Sequence, residues 1–178
     1  MIIMSWKKTY KKPFKRRMNE KTNYAKRLAM IKSGKTRITV RKTSNSIIVQ
    51  LIEFNETGDK IIIGDTSKKL VKLGWKHHTG NLPSAYLTGL MVAIKGKKEG
   101  INEAVLDIGL VTPVWGSAVF AALKGAIDGG LKIEHTPEIL PKEDRINGTH
   151  IQKYGKVKDS ANIVDSFNIT KQKILGEK

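Results

Sequence analysis

Apolar residues in this chain recur with two different periods, and the switches between them mark most of its elements. Over 22–33, Tyr24, Leu28 and Ile31 fall at helical spacing among Lys26, Arg27 and Lys32, and Gly34 supplies a natural C-terminal stop. The period then drops to two. Arg37-Ile38-Thr39-Val40-Arg41 alternates polar and apolar residues, as in a strand with one wet face carrying Arg37, Thr39 and Arg41. Thr43-Ser44-Asn45 is a turn cluster, 47–54 is a second strand rich in β-branched residues, 56–59 is a turn, and Ile61-Ile62-Ile63 is a third strand. Three strands in sequence with short connections read as an antiparallel meander.

Beyond Asp65 the helical period returns. Residues 68–73 form a short amphipathic turn or helix stopped by Gly74, and 75–80 form a polar loop bearing Trp75. Asn81 is placed to cap a helix with Pro83 in its first turn, whose buried stripe is Leu87, Leu90, Met91 and Ile94 and which ends near Lys98. A short buried strand over 103–108 holds Ala104-Val105-Leu106. Ser117 then caps a second long helix, with Phe120, Leu123, Ala126 and Ile127 inward and Gly129-Gly130 at its close. A strand that follows a long helix implies a crossover, which places 103–108 parallel to a central strand. The expected fold is α/β: a mixed sheet, made of an antiparallel three-strand meander plus a parallel strand, packed by two long helices and preceded by a basic N-terminal arm. Periodicity is weak from Leu131 onward, where Pro137, Pro141 and Gly148 mark an irregular, surface-hugging tail, with a terminal helix or a frayed end over 156–178. The division expected is arm and first helix over 1–34, core over 35–135 and C-terminal extension over 136–178.

Charge changes the picture most at the N-terminus. The first fifty residues carry 15 Lys and Arg against one acid, Glu20, so that +14 of the net +17 lies there. Residues 1–18 show no sustained periodicity and contain Pro13, so this stretch is expected to be extended or disordered when free. A dense basic arm gains affinity for any nucleic acid by releasing condensed counterions. The interleaved aromatics Trp6, Tyr10, Phe14 and Tyr24 add faces on which unpaired bases can stack. The bland alternatives are a solubilising tail or a patch for an anionic membrane surface. The second needs a continuous apolar face, which Lys11, Lys12 and Pro13 interrupt.

Other classes recede on composition. Without cysteine the chain has no disulfide, thiolate nucleophile or cysteine-based zinc site. No stretch approaches the ~20 apolar residues of a membrane span, and Met1 to Met4 is too short a run for a signal peptide, so a soluble intracellular protein is expected. Asp65, Asp107 and Asp128 stand near strand or helix ends, where clustered carboxylates hold the ions of two-metal nucleases. Such sites need three or four convergent acids, and no paired D-x-D or D-E element supplies them. His77-His78 is the one histidine pair, and adjacent histidines share neither a helical nor a strand face. In a loop beside Trp75 and Lys76, contact with RNA and plain loop polarity remain the competing readings. The glycines form neither a dinucleotide fingerprint nor a P-loop, and Ser117 has no paired His and Asp. No pattern for reading a DNA major groove and no RNP aromatic pair is present. The residues alone lead to an RNA-binding α/β domain with a basic arm, without cofactor or metal and without DNA or membrane as partner.

Several blocks of sequence are familiar beyond these physical readings. Phe14-Lys15-Arg16-Arg17, then Lys21-Thr22-Asn23-Tyr24 and Arg27, resemble the arm and first helix of the 5S-rRNA-binding large-subunit ribosomal protein family, that of bacterial L-eighteen and eukaryotic L-five. Archaeal and eukaryotic members typically have Arg-Arg followed by Gly-Lys-Thr-Asp-Tyr; here Glu20 stands at the Gly and Asn23 at the Asp. Val40-Arg41-Lys42-Thr43-Ser44-Asn45 is similar to the family's Val-Arg-Lys-(Ser/Thr)-Asn, with Ser44 an extra or substituted small residue. WKHHTGNLPSAYLTGL from Trp75, EAVLDIGL from Glu103, GSAVFAALKGAIDGG from Gly116 and RINGTHI from Arg145 resemble the archaeal branch in the same order. The resemblance spans about residues 14–155.

It implies a non-enzymatic structural constituent of the large ribosomal subunit, archaeal in source and located on cytoplasmic ribosomes. Its implied partners are 5S rRNA, the large-subunit rRNA to which it helps anchor 5S rRNA, and neighbouring ribosomal proteins of the central protuberance. A free-standing RNA-binding assembly factor is the alternative. The expected RNA contacts are Lys7, Lys8, Lys11, Lys12, Lys15, Arg16, Arg17 and Lys21 on the arm, with Tyr24 stacking and Arg27 on the first helix. Arg37, Arg41, Lys42 and Asn45 form the expected strand-face and turn contacts, and Trp75, Lys76, His77, His78 and Thr79 a third surface.

Overall fold

A computed structural model describes residues 11–154 and 162–176. Strands β1 (Thr36–Lys42), β2 (Ile47–Glu53) and β3 (Lys60–Thr66) form the antiparallel meander. Strand β4 (Ala104–Asp107) lies parallel to β1, with Ile38 opposite Leu106, which gives the order β3-β2-β1-β4. The sheet is thus the mixed one expected from the crossover. On its inner face Ile38, Val40, Ile47, Val49 and Leu51 are each no more than 1 % exposed. They pack on helix α4 (Ala118–Asp128) and on one side of helix α3 (Leu82–Lys98).

The sequence starts α3 with two devices at once. Asn81 Oδ1 accepts a hydrogen bond from the Ser84 amide at 2.9 Å, and Pro83 occupies the first turn, where its missing N–H costs nothing. Ser117 stands at the N-cap position of α4, but its side chain makes no capping bond. The two helices approach so closely that a Cβ on Gly89 would overlap the Ala122 carbonyl, and one on Gly125 the Tyr86 carbonyl. This reciprocal use of small residues lets backbone meet backbone.

Helix α3 is buried nearly all round because it has a second layer on its far side. A second apolar cluster joins Tyr86, Leu87 and Leu90 of α3 to Leu70 in a 3-10 turn (Ser67–Leu73), to Trp75, and to Ile146, Ile163 and Phe167. The last three come from the region expected to be irregular. Short helices Glu143–Asn147 and Thr149–Tyr154 occur there, and helix Ile163–Leu175 inserts Ile163 and Phe167, at most 2 % exposed, into the cluster. Burying an aliphatic or Phe side chain contributes about 1.5–3 kcal/mol, so Ile163 and Phe167 favour docking of this helix by about 3–6 kcal/mol before the entropy of ordering it. The tail is therefore irregular up to Lys142 apart from a 3-10 turn at Pro137–Ile139, and helical over Glu143–Asn147, Thr149–Tyr154 and Ile163–Leu175, where it joins the packing.

The arm differs from expectation in a smaller way. Residues Lys15–Met18 form one helical turn, α1, after Pro13, and helix α2 (Tyr24–Lys32) follows it. Residues 1–10, including Trp6, Lys7, Lys8 and Tyr10, lie outside the described residues.

Candidate nucleic-acid interface

The link between α1 and α2 is built from the block that resembles the ribosomal family. Arg16 Nε donates to Thr22 Oγ1 at 2.8 Å, the Lys21 amide donates to the Arg16 carbonyl at 2.8 Å, and Asn23 Oδ1 caps α2 by accepting from the Lys26 amide at 3.1 Å. Asn is as good an N-cap as Asp, so the departure at 23 keeps the cap. Glu20 has φ +51°, and no other described residue besides glycine has positive φ. The family's typical Gly at that position suits a backbone that L side chains rarely adopt. Tyr24 is half-buried, its ring 5.1 Å from that of Phe14 and tilted by 44°, so part of its surface is already covered.

Between this arm and the C-terminal ends of β1 and β4 lies a cleft of about 440 Å³. Its lining includes five cations, Arg16, Lys21, Lys26, Arg27 and Arg41, and one acid, Asp107. That acid is already engaged. Asp107 lies 3.4 Å from Arg37 Nη1 and 3.6 Å from Arg41 Nη2, and accepts from the Gly109 amide at 2.8 Å. The free charge of the cleft is accordingly positive.

The strand face departs from the wet face read in the sequence. Arg37 is 2 % and Thr39 3 % exposed, because the outer side of β1 carries an ordered chain of charges. Arg27 Nη2 donates to both oxygens of Asp59 at 2.8 Å, and Arg37 Nη2 lies 2.8 Å from Asp59 Oδ1. That second contact pairs the charges without a well-directed N–H bond, whereas Arg37 Nη1 donates to Asp107. Burial opposes the charge on Asp59, but the Arg37 and Arg27 guanidiniums outweigh it and hold its carboxyl below the ordinary 3.8. Arg37 is thus withdrawn from any ligand, and a buried guanidinium needs this pairing to be tolerated. Arg41 is only partly withdrawn. Its Nη1 donates to the Val40 and Asp107 carbonyls, at 3.1 and 2.9 Å, yet its side chain is 42 % exposed at the cleft.

The turn after β1 and the loop before α3, separate in sequence, touch. Thr79 Oγ1 donates to the Asn45 carbonyl, and a Cβ on Gly80 would stand 2.7 Å from the Ser44 carbonyl oxygen. Lys42, Asn45, Lys76 and His78 are exposed there, while His77 and Thr79 are half-buried. Trp75 is not a surface ring. It is 1 % exposed in the second core cluster, its Nε1 donating to the His78 carbonyl at 3.4 Å and its ring edge-on to His77 at 5.0 Å.

The three acids weighed as metal ligands go to separate places. Asp65 pairs with Lys69 and with Lys95 at 2.6 Å, Asp107 with the arginines, and Asp128 accepts from Tyr86 Oη at 2.8 Å while pairing with Lys124 at 3.0 Å. Burial, then the Asp128 carboxylate, push the Tyr86 phenol above its ordinary pKa, so it stays a neutral donor. Among the described residues no group of three or more His, Cys, Asp or Glu is placed to hold a metal ion, and no helix is long and apolar enough to cross a membrane.

The family model for ribosomal large subunit proteins 60S L5 and 50S L18 matches residues 8–102 and, again, 94–136. The chain belongs to that family. Its matched region holds the arm link, the cleft and the turn–loop surface, so every element just described falls within the part shared with these ribosomal proteins. It is a ribosomal large-subunit protein and, as such, an RNA-binding component of a ribonucleoprotein. Two residues of the site escaped the sequence reading: Lys26, taken as one helix cation among several, and Asp59, taken as a turn residue. A Gly-Asp pair in a hairpin gives no local signal that its carboxylate anchors a helix 32 positions away.

Proposed function

We propose that this ribosomal protein binds 5S rRNA and helps anchor it to the large-subunit rRNA in the central protuberance, beside neighbouring proteins of that region, on cytoplasmic ribosomes. It acts there as a structural constituent without catalysis. The observation that carries this reading is the cleft, where five cations face one already paired acid within the segment shared with the family. Arg16, Lys21 and Lys26, with the exposed edge of Arg41, pair phosphates in the cleft, and Lys11, Lys12, Lys15 and Arg17 extend those contacts along the arm. Lys42, Asn45, Lys76, His78 and Thr79 form the second contact surface, and Arg27 and Arg37 hold the scaffold. Hydroxyl-radical footprinting of 5S rRNA with and without the protein is the test. A compact protected region that shrinks when Arg16 and Lys21 become Gln supports the assignment, and an unprotected 5S rRNA removes it. Release from large subunits in a high-salt wash would instead favour an assembly factor that binds and leaves.

A further inference from the structure

The aromatic face expected of Trp75 is missing, yet an exposed indole stands elsewhere. The loop between β4 and α4 presents Leu110, Val111, Val114 and Trp115 at 50, 52, 59 and 67 % exposure. Residues 108–117 include no charged side chain. The loop is nevertheless fixed at both ends. The Gly109 amide donates to Asp107, the acid that pairs with Arg37 and Arg41, and the Gly116 amide donates to the Ile139 carbonyl at 3.0 Å. A further bond from the Ser117 amide to the Val114 carbonyl, 3.2 Å, closes the turn around Trp115. The indole is thus held out in water by an anchored backbone, at little further entropic cost on binding.

We infer that Trp115 is a base-stacking residue, which takes an unpaired base of the 5S rRNA strand bound in the cationic cleft. Leu110 is part of the cleft wall, and five residues of extended chain limit Trp115 to about 17 Å from it. A strand whose phosphates pair with Arg16, Lys21 and Lys26 passes this loop, which offers no charged side chain but an exposed indole. Stacking on an aromatic ring suits that place, because every base has a face and none requires a charge. The loop begins at Gly109 and Leu110, which line the same cleft as Arg41 and four other cations, so a polyanion suits its surroundings better than the alternative occupant, an apolar patch of a neighbouring protein. This inference rests on the 5S rRNA reading above.

The test uses the full chain and 5S rRNA. Trp115→Ala should weaken binding by about five- to a hundredfold, the range for losing one stacked base, and Trp115→Phe should recover most of it. The slope of log affinity against log salt should stay that of the parent, since no phosphate contact is lost. In a Trp6→Phe background, the emission assigned to Trp115 by difference from Trp115→Phe should be quenched at saturating RNA, while buried Trp75 is unaffected. Parent-like affinity of Trp115→Ala together with unchanged emission overturns the inference and leaves 5S rRNA binding standing. A parent that does not bind 5S rRNA overturns both.

Discussion

Arg27, on the arm helix, donates from one guanidinium nitrogen to both carboxylate oxygens of Asp59, each at 2.8 Å. Asp59 also faces Arg37, so one acid in the β2–β3 hairpin fixes the arm helix against the outer side of the sheet. The geometry of the cationic cleft depends on that bond, because α2 is one of its walls.

Asp59→Asn should therefore act on stability and on the arm together. It leaves Arg37, 3 % exposed in its side chain, with only the longer contact to Asp107. Removing one partner of a buried pair costs about 3–5 kcal/mol, and the 23 % exposure of Asp59 reduces the expectation to about 1–3. Urea unfolding at pH 7 measures it, and amide exchange across α2 should rise in the same variant.

The same carboxyl gives a pH dependence with a definite sign. Its folded pKa lies below the ordinary 3.8, so the unfolded chain takes up the proton first as pH falls. The stabilisation is fully present above about pH 5 and is lost as pH drops through the folded value, below 3.8. Parent and Asp59→Asn should converge in stability as pH falls below 3.8 in urea titrations. A gap that persists unchanged there would show that the ion pairs are not its source.

Gly125→Ala sets helix propensity against packing. Propensity alone favours Ala by about 1 kcal/mol in a helix interior. A Cβ at 125 would instead collide with the Tyr86 carbonyl, backbone that cannot rotate away. Overpacking of this kind costs about 1–3 kcal/mol, so the propensity gain is offset and a net loss of up to about 2 kcal/mol is expected in thermal or urea unfolding.

How much of this was legible in the sequence differs by residue, for physical reasons. The meander, the crossover and the Asn81 cap follow from local period and local chemistry, and the structure has them. Arg37 and Thr39 alternate with apolar residues as a wet face does, but alternation reports two faces and not what covers each. Their burial depends on acids at 59 and 107, far along the chain. Trp75 sits in a polar run, and its burial is decided by Leu70, Leu87 and Phe167 around it. Ile163, Phe167, Thr170 and Ile174 do have helical spacing; what the sequence withholds is the surface on which that stripe lands. Trp115 fails the opposite way, an apolar residue in an apolar run that the fold leaves in water.

Glu20→Gly should order the arm link. The change relieves a left-handed backbone worth about 1–2 kcal/mol for an L residue, against about 0.5–1 for the greater freedom glycine loses. A gain of up to about 1 kcal/mol in local protection is expected at the Lys21 amide, which donates to the Arg16 carbonyl. Hydrogen exchange of that amide reads it directly, and faster exchange in the variant would contradict the strain assigned to Glu20.

The central claim is that the cleft cations are the elements that bind the phosphates of 5S rRNA. Its most direct measurement is the salt dependence of 5S rRNA affinity for the parent and for a variant carrying Arg16→Gln, Lys21→Gln and Lys26→Gln. Each phosphate neutralised contributes about 0.7–0.9 to the slope of log affinity against log salt. All three residues are exposed, and the one side-chain bond lost, from Arg16 to Thr22, lies at the surface of the arm, so global unfolding in urea should stay close to the parent's. The account predicts a slope lower in magnitude by about 2–3 and weaker binding at every salt concentration. A slope identical to the parent's, with affinity retained, would contradict it and move the RNA site away from the cleft.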